Sequence, residues 1–126
     1  MRKITDHIVE GDSANHQLTI TVRDEPGSGG ANHMYGIEWT PKDDDTCRDQ
    51  LLVLFQNGPI KEFGVNGVTH EALLSIVIDR LRSFQAGPFK CVENEIALRK
   101  IEDALWQLHW RTSSRIARGV EGTHQK

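Results

Sequence analysis

The stretch FQAGPFKCVEN, residues 84–94, joins two segments of helical periodicity and carries two phenylalanines, a cysteine and an asparagine. A connector between helices needs a glycine and a few polar residues, so aromatic and amide side chains here point toward binding. Phe84 or Phe89 offers a base a stacking face, a contact worth about 1–3 kcal/mol in nucleic-acid complexes. Asn94 can set paired donor and acceptor atoms against an adenine edge. Downstream, Arg111, Arg115 and Arg118 recur at i, i+4, i+7. That spacing makes a cationic stripe suited to bidentate hydrogen bonding of phosphate. The set suggests a ligand containing adenine and phosphate. Each member also has a plainer use: Phe84 as core, Asn94 as a helix-start cap, the arginines as a solvated face.

Catalytic chemistry is poorly represented. Zinc deaminases need H-x-E with P-C-x-x-C, and THE at 69–71 supplies neither the spacing nor the second motif. Cys91 near a helix start could hold a lowered thiol pKa, but none of the six histidines has a supporting local signature beside it. GPIKEFGVNG lacks the order of a phosphate-cradling GxxxxGK[ST] loop, so its glycines and Asn66 are expected to shape turns. The Asp43–Asp45 run reads as a solvated loop tip ahead of a metal site. Cys47 and Cys91 form no CxxC pair, which leaves neither a disulfide framework nor a zinc knuckle. We therefore expect no catalytic set, no metal and no cofactor.

The elements that must position these residues come next. A chain of 126 residues is expected to form one domain, 1–126. With 37% hydrophobic and 26% charged residues it is ordinary for a globular protein. No apolar run approaches the roughly 18 residues of a membrane span. The opening MRKITDHIVEGD lacks the apolar core of a signal peptide, so a cytosolic location is expected. A net charge of −3 argues against broad DNA or RNA binding. The charge is uneven, however. Residues 1–60 hold ten acidic and five basic side chains, and residues 61–126 hold eight and ten. An anionic ligand belongs with the second half.

Residues 1–63 look β-rich. HQLTITV alternates from Gln17, while MYGIEW and LLVLF are further strand candidates and IKEF a short fourth one. DEPGSGGANH, PKDDDT and NGP separate or end them with turn chemistry. Residues 64–126 read as a helical hairpin and tail. Leu73, Leu74, Val77, Ile78, Leu81 and Phe84 share one stripe, and Thr69 can cap its start. A second helix should run from about Val92 to Arg118 and stop at Gly119. Its Leu98, Ile101, Leu105 and Leu108 face the first helix. The expected fold is α+β, a small N-terminal antiparallel β-sheet followed by a C-terminal antiparallel helical hairpin. At 100° per residue, Trp106 and Trp110 lie about 100–140° to one side of Leu105, and the arginines about 80–140° to the other. One hairpin partner cannot cover all of this. The tryptophans are then core, or pack on the sheet or on a second copy.

Residues 64–124 resemble the helical hairpin shared by phage Thoeris anti-defence sponges and phage anti-CBASS sponges. The resemblance rests on FQAGPFKCVEN, RTSSR and RGVEGTH. The preceding β-rich segment, ending in FQNGPIKEFGVNG, is similar to the first-described Thoeris anti-defence type, since the anti-CBASS proteins are mainly helical. The resemblance implies sequestration without chemistry of a cyclic nucleotide messenger made by a bacterial immune enzyme. A glycocyclic ADP-ribose isomer is the expected ligand; some relatives also take cyclic di- or trinucleotides. It implies a homodimer or homohexamer acting in the cytoplasm of the infected or lysogenic host. The family's stacking phenylalanine and its asparagine ten residues later fall on Phe84 and Asn94, and its phosphate-binding arginines on Arg111 and Arg115. With these the ligand-binding set comprises Phe84, Phe89, Asn94, Arg111, Arg115, Arg118, Thr123 and His124. Val92 stands where the family usually has an arginine. The contrasting reading is an enzyme that cleaves the same messenger through Cys91 or a histidine, and a third is a small regulator that contacts nucleic acid through the arginine stripe.

Overall fold

The computed structural model describes residues 1–44 and 46–126, so the last member of the Asp43–Asp45 run lies outside the described residues. These residues fall into two compact units, Met1–Gly58 with Val65–Gly67, and Pro59–Gly64 with Val68–Lys126.

The first unit is a four-stranded antiparallel sheet in the order β1 (Lys3–Ile4), β2 (Thr19–Val22), β3 (Met34–Trp39), β4 (Asp49–Leu54). β-Branched residues make β2 a natural strand, and its Val22 is the buried centre of the unit. Ile20 pairs with Ile37, and Ile37 with Leu51, which fixes the register across the three longer strands. Gly36 in β3 has a packing reason: a Cβ there would run into the Arg23 guanidinium. Arg23 reaches Glu38 at 2.6 Å and Gln50 at 3.0 Å. The strand expected from Gln17 begins later, because Asn15–Gln17 forms one turn of 3-10 helix. Asp12 anchors that turn by accepting the N–H groups of Ala14 and Asn15, and these bonds hold its carboxyl below the usual range.

Asn66 closes the first unit as the turn-shaper expected of it. Its Oδ1 accepts from Asn57 N at 2.8 Å while its Nδ2 donates to Asn57 O at 2.7 Å, a side-chain copy of a strand pair. Gly67 allows the close approach, since a Cβ would meet the Phe55 carbonyl oxygen at 2.6 Å.

In the second unit IKEF is a helical turn, α1 (Ile60–Phe63), and not the expected strand. Pro59 sets the entry with its fixed φ, and Gly64, at φ +71°, ends the turn after four residues. The hairpin follows as α2 (His70–Gln85) and α3 (Val92–Ala117). Thr69 Oγ1 caps α2 by accepting from Ala72 N at 3.1 Å. Ile78 of α2 and Leu98 of α3 are buried, and Arg82 pairs with Glu102 across the hairpin at 2.7 Å. Gly119 at φ +74° stops α3 as expected. Two details differ from the sequence pattern. Val77 of the predicted stripe is exposed, and Trp106 and Trp110 are 64% and 65% exposed, so neither tryptophan is hairpin core. The α+β class holds.

Candidate functional site

The turn between α2 and α3 is fastened by one side chain. Gln85 Oε1 accepts from Cys91 N at 3.1 Å, and Gln85 Nε2 donates to Cys91 O at 3.1 Å and to Glu95 Oε2 at 3.3 Å. Hydrogen bonds from Arg99 and then Gln85 keep the Glu95 carboxyl below the ordinary range. Cys91 is the N-cap of α3: its Sγ accepts from Asn94 N at 3.4 Å. That role replaces the reading of Asn94 as cap. The two cysteines differ in setting. Cys91 caps, and the hydrogen bond from Cys47 to the Asp44 carboxylate pushes the Cys47 thiol pKa up.

So fixed, the turn presents aromatic surface. Phe89 is 75% exposed. Phe84 is half-buried, with the Arg80 guanidinium 5.0 Å from its ring centroid. Both rings line an open depression of about 520 Å³ with Ile76, Arg80, Ser83 and Pro88. Asn94 lies just inside α3, half-buried, and is not part of that lining. The structure thus groups Phe84 with Phe89 and leaves Asn94 on the adjoining helical turn.

The remaining predicted residues lie at the far end of α3. Arg111, Arg115 and Arg118 line a second depression of about 390 Å³ with Trp110, Ser114 and Lys126. The arginines differ in what they hold. Arg115 donates to the carbonyls of Gln125 at 2.6 Å, Val120 at 3.0 Å and Thr123 at 3.0 Å. Arg118 donates to Lys126 O at 2.7 Å. Arg111 is exposed and has no acceptor among the described residues. The Thr123 hydroxyl donates to Val120 O at 2.5 Å, and His124 Nδ1 lies 3.4 Å from Glu62 Oε1 of α1. Residues 120–124 are also tied to α1 by the bond from Lys61 N to Gly122 O at 3.1 Å. At about 1.5 Å per residue, the seventeen positions from Asn94 to Arg111 span roughly 25 Å of helix.

Two residues of α2 near the turn escaped the sequence reading. Gln85 gives no signal in residue type, because two of its three bonds are to the backbone of Cys91. Arg80 does give one: it stands four residues before Phe84, the spacing at which helix side chains meet.

Comparison with known proteins adds the lineage. Residues 49–109 match the family model "Acb2/Tad1, hairpin domain". Phe84, Phe89 and Asn94 fall within that match, whereas the arginine stripe, Thr123 and His124 lie beyond it. Over 74 residues the chain is 53% identical to Thoeris anti-defense 1 from Bacillus phage SBSphiJ7, covering 59% of this chain and 52% of that protein. The chain thus spans about half the length of the curated relative it matches. It carries an Acb2/Tad1 hairpin domain and is similar, over 59% of its length, to a phage Thoeris anti-defence protein.

Proposed function

We propose that this protein is an anti-defence sponge, which binds a cyclic nucleotide messenger of bacterial immunity and withholds it from its effector without degrading it. The observation that carries the reading is the aromatic depression at the hairpin turn. Two phenylalanines line it beside an arginine, within the matched hairpin domain. Its volume of about 520 Å³ falls in the ordinary range of small-ligand pockets, about 300–1,000 Å³. A glycocyclic ADP-ribose isomer suits it, with the adenine on Phe84, an edge read by Asn94 and the pyrophosphate on guanidinium groups. Cyclic di- and trinucleotides share the same base and phosphate chemistry. The setting is the host cytoplasm. No helix among the described residues is long and apolar enough to cross a membrane.

The reading includes self-association into a homodimer or a homohexamer. Ile76, Val92, Ile96, Trp106 and Trp110 of the hairpin are all about half exposed or more. These exposed apolar side chains support the self-association reading, since large exposed apolar patches accompany interaction sites.

The test is to incubate the protein with glycocyclic ADP-ribose, remove free ligand, denature, and identify what is released. Intact ligand in stoichiometric amount is the expected result. A linear product would instead support a cleaving enzyme, and no release would refute messenger binding.

A further inference from the structure

Nine arginines occur in the chain, and seven of them spend their guanidinium donors on acceptors of the protein itself. Arg2 bonds Asn32, Arg23 and Arg48 meet Glu38, Arg82 meets Glu102 and Arg99 meets Glu95. Arg115 and Arg118 hold tail carbonyls. Arg80 and Arg111 have no acceptor among the described residues. Arg80 nevertheless has a defined position, because it lies 5.0 Å over the Phe84 ring and lines the same depression as Phe84 and Phe89. A guanidinium stacked on an aromatic face keeps its N–H donors at the plane's rim, where they remain available for a second partner.

We infer that Arg80 is a ligand-binding residue that forms one platform with Phe84 and supplies a phosphate contact beside the stacked base. The inference rests on the sponge reading above and adds to that site a residue from α2. Sequence spacing explains why the two belong together: positions 80 and 84 are neighbours on one helical face. The stack favours this position of the guanidinium by roughly two- to five-fold at an exposed site while leaving its hydrogen-bonding capacity unspent. One group works against an anion there. Asp79 lines the same depression, and its carboxylate is an acceptor suited to a sugar hydroxyl while repelling a phosphate. Arg80 offsets that charge, so a phosphate-bearing ligand needs it more than a neutral one does.

The test uses the full chain with glycocyclic ADP-ribose as probe, titrated calorimetrically at about 0.05 M and about 0.5 M salt, between which the Debye length shortens about threefold. Arg80→Ala is an exposed helix position receiving the best helix former, so the fold should survive, and a melting curve checks this. A charge-assisted hydrogen bond is worth about 1.5–3 kcal/mol, so Arg80→Ala should weaken binding roughly 10- to 100-fold at low salt. The loss should shrink at high salt, and Arg80→Lys should recover only part of it. Equal affinity of Arg80→Ala and wild type would overturn the inference and leave the sponge reading standing. A loss independent of salt would overturn the phosphate contact and reduce Arg80 to a positioning residue for Phe84. Absence of binding by the wild type would overturn both readings together.

Discussion

Asn94 and Arg111 sit on one unbroken helix, α3, about 25 Å apart at 1.5 Å per residue. That separation is well beyond an ADP-ribose-sized ring, so one ligand cannot touch both in a single chain. If both residues serve one site, the arginine must come from a second protomer whose α3 runs antiparallel. Two-fold symmetry then creates two equivalent composite sites per dimer. The perturbation that tests this is a pair of variants, Asn94→Ala and Arg111→Ala. Loss of a paired amide contact to adenine costs about 1–3 kcal/mol, and loss of a charge-assisted phosphate bond about 1.5–3 kcal/mol. At about 1.4 kcal/mol per decade, each homodimer should bind roughly 10- to 100-fold more weakly than wild type.

The heterodimer of the two variants behaves differently under the two arrangements. In the composite pocket, one site collects both substitutions and the other collects neither. A heterodimer isolated through two different tags should then bind one ligand with wild-type affinity. If each chain built its own site, both sites would carry one defect and no tight binding would remain. Calorimetric titration reads stoichiometry and affinity together. A folded heterodimer without any wild-type-affinity site would refute the composite pocket.

Two further outcomes follow from the geometry. Cys91→Ser should retain ligand sequestration and lose no thermal stability, because a serine hydroxyl is a favoured N-cap and the thiol serves as a cap to Asn94 N; release of a cleaved messenger by wild type but not by this variant would instead favour the enzyme. Gly67→Ala should destabilise the sheet unit by about 1–3 kcal/mol in chemical denaturation, since its Cβ would press on the Phe55 backbone, and an unchanged midpoint would contradict that packing.

How much of this was legible in the sequence depends on where each partner comes from. The helices α2 and α3 were readable because the 3.6-residue period, the Thr69 cap and the Gly119 stop agree over many residues. IKEF was misread because four residues cannot distinguish a helical turn from a strand; Pro59 before it and Gly64 after it settle the outcome locally. β1 was missed because two residues, Lys3 and Ile4, form a strand only through pairing with Thr21 and Ile20. The sheet's three longer strands were visible from alternation and β-branching, with ends displaced where a side chain such as Asp12 captures the backbone.

The site divides along the same line. Phe84 and Phe89 stood out because apolar side chains are out of place in a turn, and the structure does set them at an open surface. The arginine stripe was visible as spacing, yet spacing could not show that Arg115 and Arg118 are occupied by carbonyls of residues 120–126 while Arg111 is unoccupied. Backbone acceptors carry no mark in the residue type, so their claims on a side chain emerge only when the chain is folded. The consequence is mechanistic. A phosphate approaching Arg115 competes with three carbonyl oxygens already in place, whereas one approaching Arg111 or Arg80 displaces only water. An anion should therefore settle first on the uncommitted pair. In an antiparallel dimer these two are also the arginines that come from different chains, with Arg80 beside its own Phe84 and Arg111 delivered by the partner.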